Sequence, residues 1–277
     1  MPNNHTVNLR YGAEKVVTSA KFRQLGTRGV TPDNRVFYYC QAGGTALMAN
    51  TLTQAKATES QANLNLTPST STGDWSGTNI PTGSASIGVV WVTNHASGEF
   101  NDGYMTVETT PGTGTYRIAS DGDTATGSSN TVNLIRLHPD DTIQSAALTT
   151  VSKLAFHHNP YASVIVAPTT LTNIIVGVPN VTVALDNYFW IQTYGEAAVR
   201  YNALVAAVVG EGVLGGVGAT AGDVVGQPKT TNTVASVDYG ATATGVPALN
   251  SRPVIGHAMD GIPGDGDLLK VMLTIRS

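Results

Sequence analysis

Apolar and polar residues alternate with a period of two over many short stretches of this chain, the pattern of strands that bury one face. The clearest stretches are residues 35–41, 87–93, 104–108, 115–118, 131–137 and 153–156, followed by 163–166, 174–178, 188–193, 253–257 and 268–275. Turn signals separate them, among them Asn101-Asp102-Gly103, Pro111-Gly112-Thr113-Gly114 and Asp121-Gly122-Asp123. Many short strands at such spacing predict an all-β chain of antiparallel sandwich or barrel type rather than a parallel α/β sheet. Helical periodicity is scarce. Residues 46–62 carry fair helix formers interrupted by Thr51, Thr53 and Thr58, and read mostly as strand and loop. Residues 197–209 are rich in alanine and valine and suit a short helix or a buried strand equally.

Two segments share an order of residue types. Asp33-Asn34 is followed by the aromatic run Val36-Phe37-Tyr38-Tyr39-Cys40 and Gln41, and Asp186-Asn187 by Tyr188-Phe189-Trp190-Ile191 and Gln192. Each reads as its own β-hairpin, since hairpins share turn chemistry whether or not they descend from a duplication. The expected division is an extended N-terminal arm at 1–35, a β-rich domain at 36–158 and a second β-rich domain at 159–277, with the boundary near Asn159-Pro160.

Composition sharpens this picture. Threonine is the commonest of the 277 residues, with 37 copies, beside 30 glycines and 13 prolines. Charged residues make up only 12%, against about 25% in an ordinary soluble domain. A surface so poor in charge suits the subunit of an assembly, where neutral area is buried against partners. The net charge of -4 argues against a general nucleic-acid binder. That charge is unevenly placed. Arg10, Lys15, Lys21, Arg23, Arg28 and Arg35 lie in the first 35 positions beside only Glu14 and Asp33. Such a segment on an acidic body either docks on an acidic surface or forms a solvated edge of the fold.

The single cysteine, Cys40, excludes an internal disulfide framework and reads as a buried thiol. The first residues, Met1-Pro2-Asn3-Asn4-His5-Thr6, lack the charged and apolar regions of a signal peptide, and no apolar run nears the length of a membrane span. The expectation is a protein made in the cytoplasm and soluble there, with no membrane partner.

Motifs for chemistry are weak. Gly210-Glu211-Gly212-Val213-Leu214-Gly215 matches a dinucleotide fingerprint, but Gly216, Gly218 and Gly222 follow at once and forbid the helix it needs, so it reads as a glycine-rich β region. His157 and His158 are neighbours that point to opposite faces of a strand, and His5, His95, His138 and His257 share no metal-like spacing. Asp121-Gly122-Asp123 and the run from Asp260 to Asp267 contain oxygen ligands for calcium, yet Asp-Gly turns explain both without a metal. The acids Asp140-Asp141 and Asp102/Glu108 are not marked as a catalytic pair. Trp91 and Trp190 lie in apolar runs, whereas Trp75, within Gly73-Asp74-Trp75-Ser76-Gly77, is the better exposed stacking residue. The expectation is therefore a non-enzymatic protein with no catalytic residue, cofactor or metal.

Four blocks carry a resemblance in order along the chain. Asn101-Asp102-Gly103-Tyr104-Met105-Thr106-Val107 with Gly114-Thr115-Tyr116-Arg117-Ile118 resembles a "DGY…V…G…YRI" pattern of virion structural proteins of tailed bacteriophages. Asn159-Pro160-Tyr161-Ala162-Ser163-Val164 and Gly177-Val178-Pro179 match the stretch that follows it. Trp190-Ile191-Gln192-Thr193-Tyr194-Gly195 matches a third block, and the Asp33-Asn34 turn with its aromatic strand and Gly44-Thr45-Ala46-Leu47 an opening one. The resemblance implies a capsid decoration or cement protein on the exterior of the virion, partnered by the major capsid protein and by copies of itself as a homotrimer. The basic residues Arg10, Lys15, Lys21, Arg23 and Arg28 are then the expected capsid interface. The alternative is a tail-associated receptor-binding protein that recognises host glycans through an aromatic such as Trp75. A β-rich glycoside hydrolase is a third class, for which no acid pair stands out.

Overall fold

The structure is a computed structural model and describes residues 6–56, 66–69, 79–91, 97–121, 132–215, 220–227, 252–261 and 264–275. It is all-β; the one helical element among the described residues is a 3-10 turn at Ala13–Lys15. In chain order the strands begin with β1 (Thr6–Asn8), β2 (Arg28–Val30), β3 (Val36–Gln41) and β4 (Thr53–Gln54). Eight more follow: β5 (Thr67–Ser69), β6 (Asn79–Ile80), β7 (Ser86–Val90), β8 (Tyr104–Val107), β9 (Gly114–Ser120), β10 (Val132–Leu137), β11 (Leu148–Thr149) and β12 (Leu154–His157). The last seven are β13 (Ile165–Val166), β14 (Ile175–Pro179), β15 (Tyr188–Arg200), β16 (Gly212–Gly215), β17 (Val224–Gly226), β18 (Val254–Ala258) and β19 (Leu268–Thr274).

The chain divides into two compact units, Met1–Ala57 with Pro160–Ser277, and Thr58–Asn159 between them. This corrects the expected division. A boundary does fall at Asn159-Pro160, but residues 36–57 belong with the second half because β3 pairs with β15, and β4 with β13 and β14. The extended arm at 1–35 is also corrected, because β1 pairs with β2 and β2 with β3, which ties residues 6–8 and 28–30 into a sheet.

In the outer unit the strands run in the order β1-β2-β3-β15-β19-β18-β16-β17, with β14 beside β15 and β4, and β13 beside β4. Among the described residues its strand pairs are antiparallel except β1 with β2. Strand β15 is the spine: residues 188–194 pair with β3 and residues 194–200 with β19. The two look-alike segments are thus not separate hairpins. They are antiparallel partners, with Phe189 opposite Cys40 and Trp190 opposite Tyr39. Their aromatic side chains build one core with Leu9, Phe37 and Val176, in which Tyr39 meets Trp190 edge-on with ring centroids 5.3 Å apart. A second core collects Leu52, Val199, Val213, Ile255, Leu269, Val271 and Leu273. Strand β19 shows why: Leu269, Val271 and Leu273 are buried while Leu268, Lys270, Met272 and Thr274 face solvent, a strict period of two.

The inner unit holds a sheet in the order β12-β8-β9-β10-β7-β5 and the pair β11-β6. Its core contains Trp91, Phe100 and Phe156, with Trp91 stacked on Phe100 at 5.5 Å and tilted against Phe156 at 4.8 Å.

Candidate functional site

The outer unit carries two surfaces of chemical interest, and the first is the basic segment. Arg10, Lys15, Lys21 and Arg23 are exposed, whereas Arg28 is half-buried in β2. Large apolar groups stand among them, Tyr11 at 64% exposure and Phe22 at 52%. Phe22 is anchored on Tyr39, with centroids 4.7 Å apart and its backbone N–H donating to the Tyr39 hydroxyl at 3.3 Å. The Arg23 guanidinium lies 5.8 Å from the Phe22 ring centroid. The acids of the segment both face Arg35. Glu14 is buried and its carboxylate lies 3.7 Å from Arg35 Nη2, while Asp33 accepts from Arg35 Nε at 2.8 Å. With both carboxylates matched to Arg35, the outward charge of residues 10–23 is positive.

The second surface is a cleft of about 580 Å³ on the solvent side of the β3-β15-β19 junction. One wall is the Asp33-Asn34-Arg35 turn, in which Asn34 adopts φ 62°, a left-handed conformation that asparagine tolerates. The other is Tyr194-Gly195-Glu196 with Met272. A β-bulge shapes it: Gln192 pairs with Phe37 and Tyr194 with Val36, so Thr193 is an extra residue in β15. Buried Gln192 holds the bulge. Its side-chain amide donates to the carbonyls of Tyr194 at 3.2 Å and Glu196 at 2.8 Å, and its oxygen accepts from Asn180 Nδ2 at 3.1 Å. Gly195 follows at φ 92°, where a Cβ would sit 2.8 Å from Arg35 Cγ, so glycine lets the arginine stem lie against the strand. Across the sheet Glu196 pairs with Met272, and its carboxylate lies 3.5 Å from Lys270 Nζ. Asp33 is held below the usual carboxylate range, chiefly by the Thr31 hydroxyl and then by Arg35.

The remaining sequence features resolve into structure. Cys40, Trp91 and Trp190 are buried, and Trp75 lies outside the described residues. Gly212–Gly215 is strand β16, paired with β17 and β18, and a Cβ on Gly215 would strike Leu52 at 2.4 Å, so these glycines serve packing. His157 is exposed, whereas His158 packs against Phe100 and lies 3.3 Å from Glu99. Asp121 accepts the backbone N–H groups of Gly98 and Phe100, both at 2.7 Å, a turn-fixing role. Asp265 and Asp267 accept from the backbone of Ala203 at 3.1 Å and Gly264 at 3.0 Å. Among the described residues no group of three or more histidine, cysteine or acidic side chains is placed to hold a metal.

The cleft is what sequence reasoning missed. Its one visible signal was the likeness of the two Asp-Asn-aromatic segments, whose pairing brings Arg35 beside Gly195.

No family model, curated protein or solved structure matches this chain. Among the described residues no helix is long and apolar enough to cross a membrane.

Proposed function

We propose that this protein is a non-enzymatic virion structural protein that decorates the outer surface of a tailed-phage head and stabilises the shell. The observation that carries the reading is the basic, aromatic-studded segment of Arg10, Lys15, Lys21 and Arg23, fastened to a sheet at its ends, with Glu14 buried and Asp33 paired with Arg35. Cations mounted on a rigid base lose little conformational freedom on docking, so more of their attraction for an acidic shell appears as affinity. Low overall charge supports the same reading, because neutral surface is cheaper to desolvate against the capsid protein and against identical copies, as in a trimer. Arg28, half-buried, contributes to the field more than to contact.

The test is to mix the purified protein with undecorated expanded capsids and image the particles by electron cryomicroscopy. Regular density at local symmetry axes is the expected outcome. Bare heads with labelled tails would replace shell decoration by host recognition.

A further inference from the structure

We propose that the cleft between the Asp33-Asn34-Arg35 turn and the Tyr194-Gly195-Glu196 bulge is a binding site for neutral carbohydrate. Its volume of about 580 Å³ falls within the roughly 300–1,000 Å³ of small-molecule sites. Its walls divide into an apolar platform and a polar rim. The platform is the Tyr194 ring, 38% exposed, with Met272, 36% exposed, on the neighbouring strand. A pyranose presents a face of C–H groups that packs on such a surface, as apolar groups do on aromatic rings. The rim offers the Asp33 and Glu196 carboxylates as acceptors and the Asn34 amide as both donor and acceptor, the groups that ring hydroxyls require.

The charge pattern selects among ligands. An arginine in a cleft would ordinarily suggest an anion, since its fork matches carboxylate and phosphate. Here Arg35 is already engaged by Asp33 at 2.8 Å and faces buried Glu14 at 3.7 Å. Among the described residues, the counter-charge of Glu196 is Lys270, 3.5 Å away and half-exposed. Among the described residues, the groups around the cleft thus hold more negative than positive charge, and a phosphate, uronate or sialate would meet net repulsion from them. A neutral polyol would find acceptors already oriented.

The site is also built in advance. Gln192 fixes the bulge from below, and Gly195 admits the Arg35 stem at a distance no other residue allows. Asp33 remains ionised into mild acid because Thr31 and Arg35 stabilise its charge, which keeps it an acceptor. Protein groups that need not rearrange spend little of the binding energy on ordering.

The site goes beyond shell decoration and does not depend on it. Lactose, maltotriose and di-N-acetylchitobiose are titrated into the full-length, isotope-labelled protein and followed by amide chemical shifts, with 3'-sialyllactose and inorganic phosphate as anionic probes. At least one neutral sugar is expected to bind with millimolar affinity, shifting the amides of Asn34, Arg35 and Tyr194–Glu196, and more tightly than either anion. Tyr194→Ala, an exposed position, should weaken it about tenfold. Asn34→Gly, which keeps the left-handed turn and removes the amide, should weaken it about threefold to tenfold. The proposal falls if no neutral sugar shifts these amides, if Tyr194→Ala leaves affinity within twofold, or if an anion binds more tightly. Because no capsid enters the experiment, its failure leaves the decoration reading untouched.

Discussion

The side-chain amide of Gln192 donates to the backbone carbonyl of Glu196 at 2.8 Å, bridging a strand bulge from the buried side of the sheet. The same nitrogen serves Tyr194, and the oxygen is occupied by Asn180. Replacement by leucine keeps the volume and strands all three partners. Gln192→Leu should cost about 1–3 kcal/mol in urea unfolding. Gln192→Glu, which sets an acceptor against two carbonyl oxygens, should cost more. Equal stability of wild type and both variants would show that the bulge needs no such brace.

In the inner unit Asp121, fully buried, accepts the N–H groups of Gly98 and Phe100 at 2.7 Å each, and its own N–H donates to Asn101 Oδ1 at 3.0 Å. Asp121→Ala should destabilise that unit by about 3 kcal/mol, and Asp121→Asn by less, because one acceptor survives. Tryptophan emission reports it, since Phe100 is stacked on Trp91.

Asp223 gives the outer unit a pH dependence of unusual sign. Its carboxyl is 2% exposed and lies 3.1 Å from Arg200 Nε; burial raises it above the ordinary value of 3.8, against the pull of Arg200. The fold therefore favours the protonated acid. Its contribution to stability is complete below pH 3.8 and is lost as pH rises through the elevated folded value. Asp223→Asn removes the dependence, so urea midpoints of wild type should fall relative to the variant as pH climbs through that window. A gap between the two that stays constant from pH 3.5 to 7 would mean that burial does not govern this carboxyl.

For the basic segment, Lys15→Glu with Arg23→Glu should reduce capsid association and flatten its salt dependence between low and moderate ionic strength, read by co-sedimentation. Stability should stay within about 0.5 kcal/mol, because both side chains are exposed. Unchanged sedimentation at every salt concentration would remove electrostatics from the docking.

Much of the strand pattern was legible. Residues 104–108, 131–137, 253–257 and 268–275 were expected as strands and match β8, β10, β18 and β19 closely, and burial alternates along β8 and β19. Strands β1, β2, β6 and β11 have two or three residues each, too few for a period to register. The later half of β15 was ambiguous because Ala197 and Ala198 carry little facial contrast; only pairing with β19 decides it. The cations were visible in sequence, but the inward turn of Glu14 was not, as it depends on Arg35. Nor was the cleft, which requires residues 33–35, 194–196 and 272 to meet through two strand pairings.

The insertion of one unit within the other fixes an order of events during synthesis. Val36–Gln41 leaves the ribosome before any of Thr58–Asn159, and its partner Tyr188–Arg200 only after all of it. At roughly 5–20 residues per second, about 150 residues separate the two by roughly 8–30 s. Through that interval the inner unit has time to fold, while a strand bearing Phe37, Tyr38 and Tyr39 has β2 on one edge and waits for β15 on the other. The nascent chain is thus most prone to mispairing with other copies in the window between its two halves.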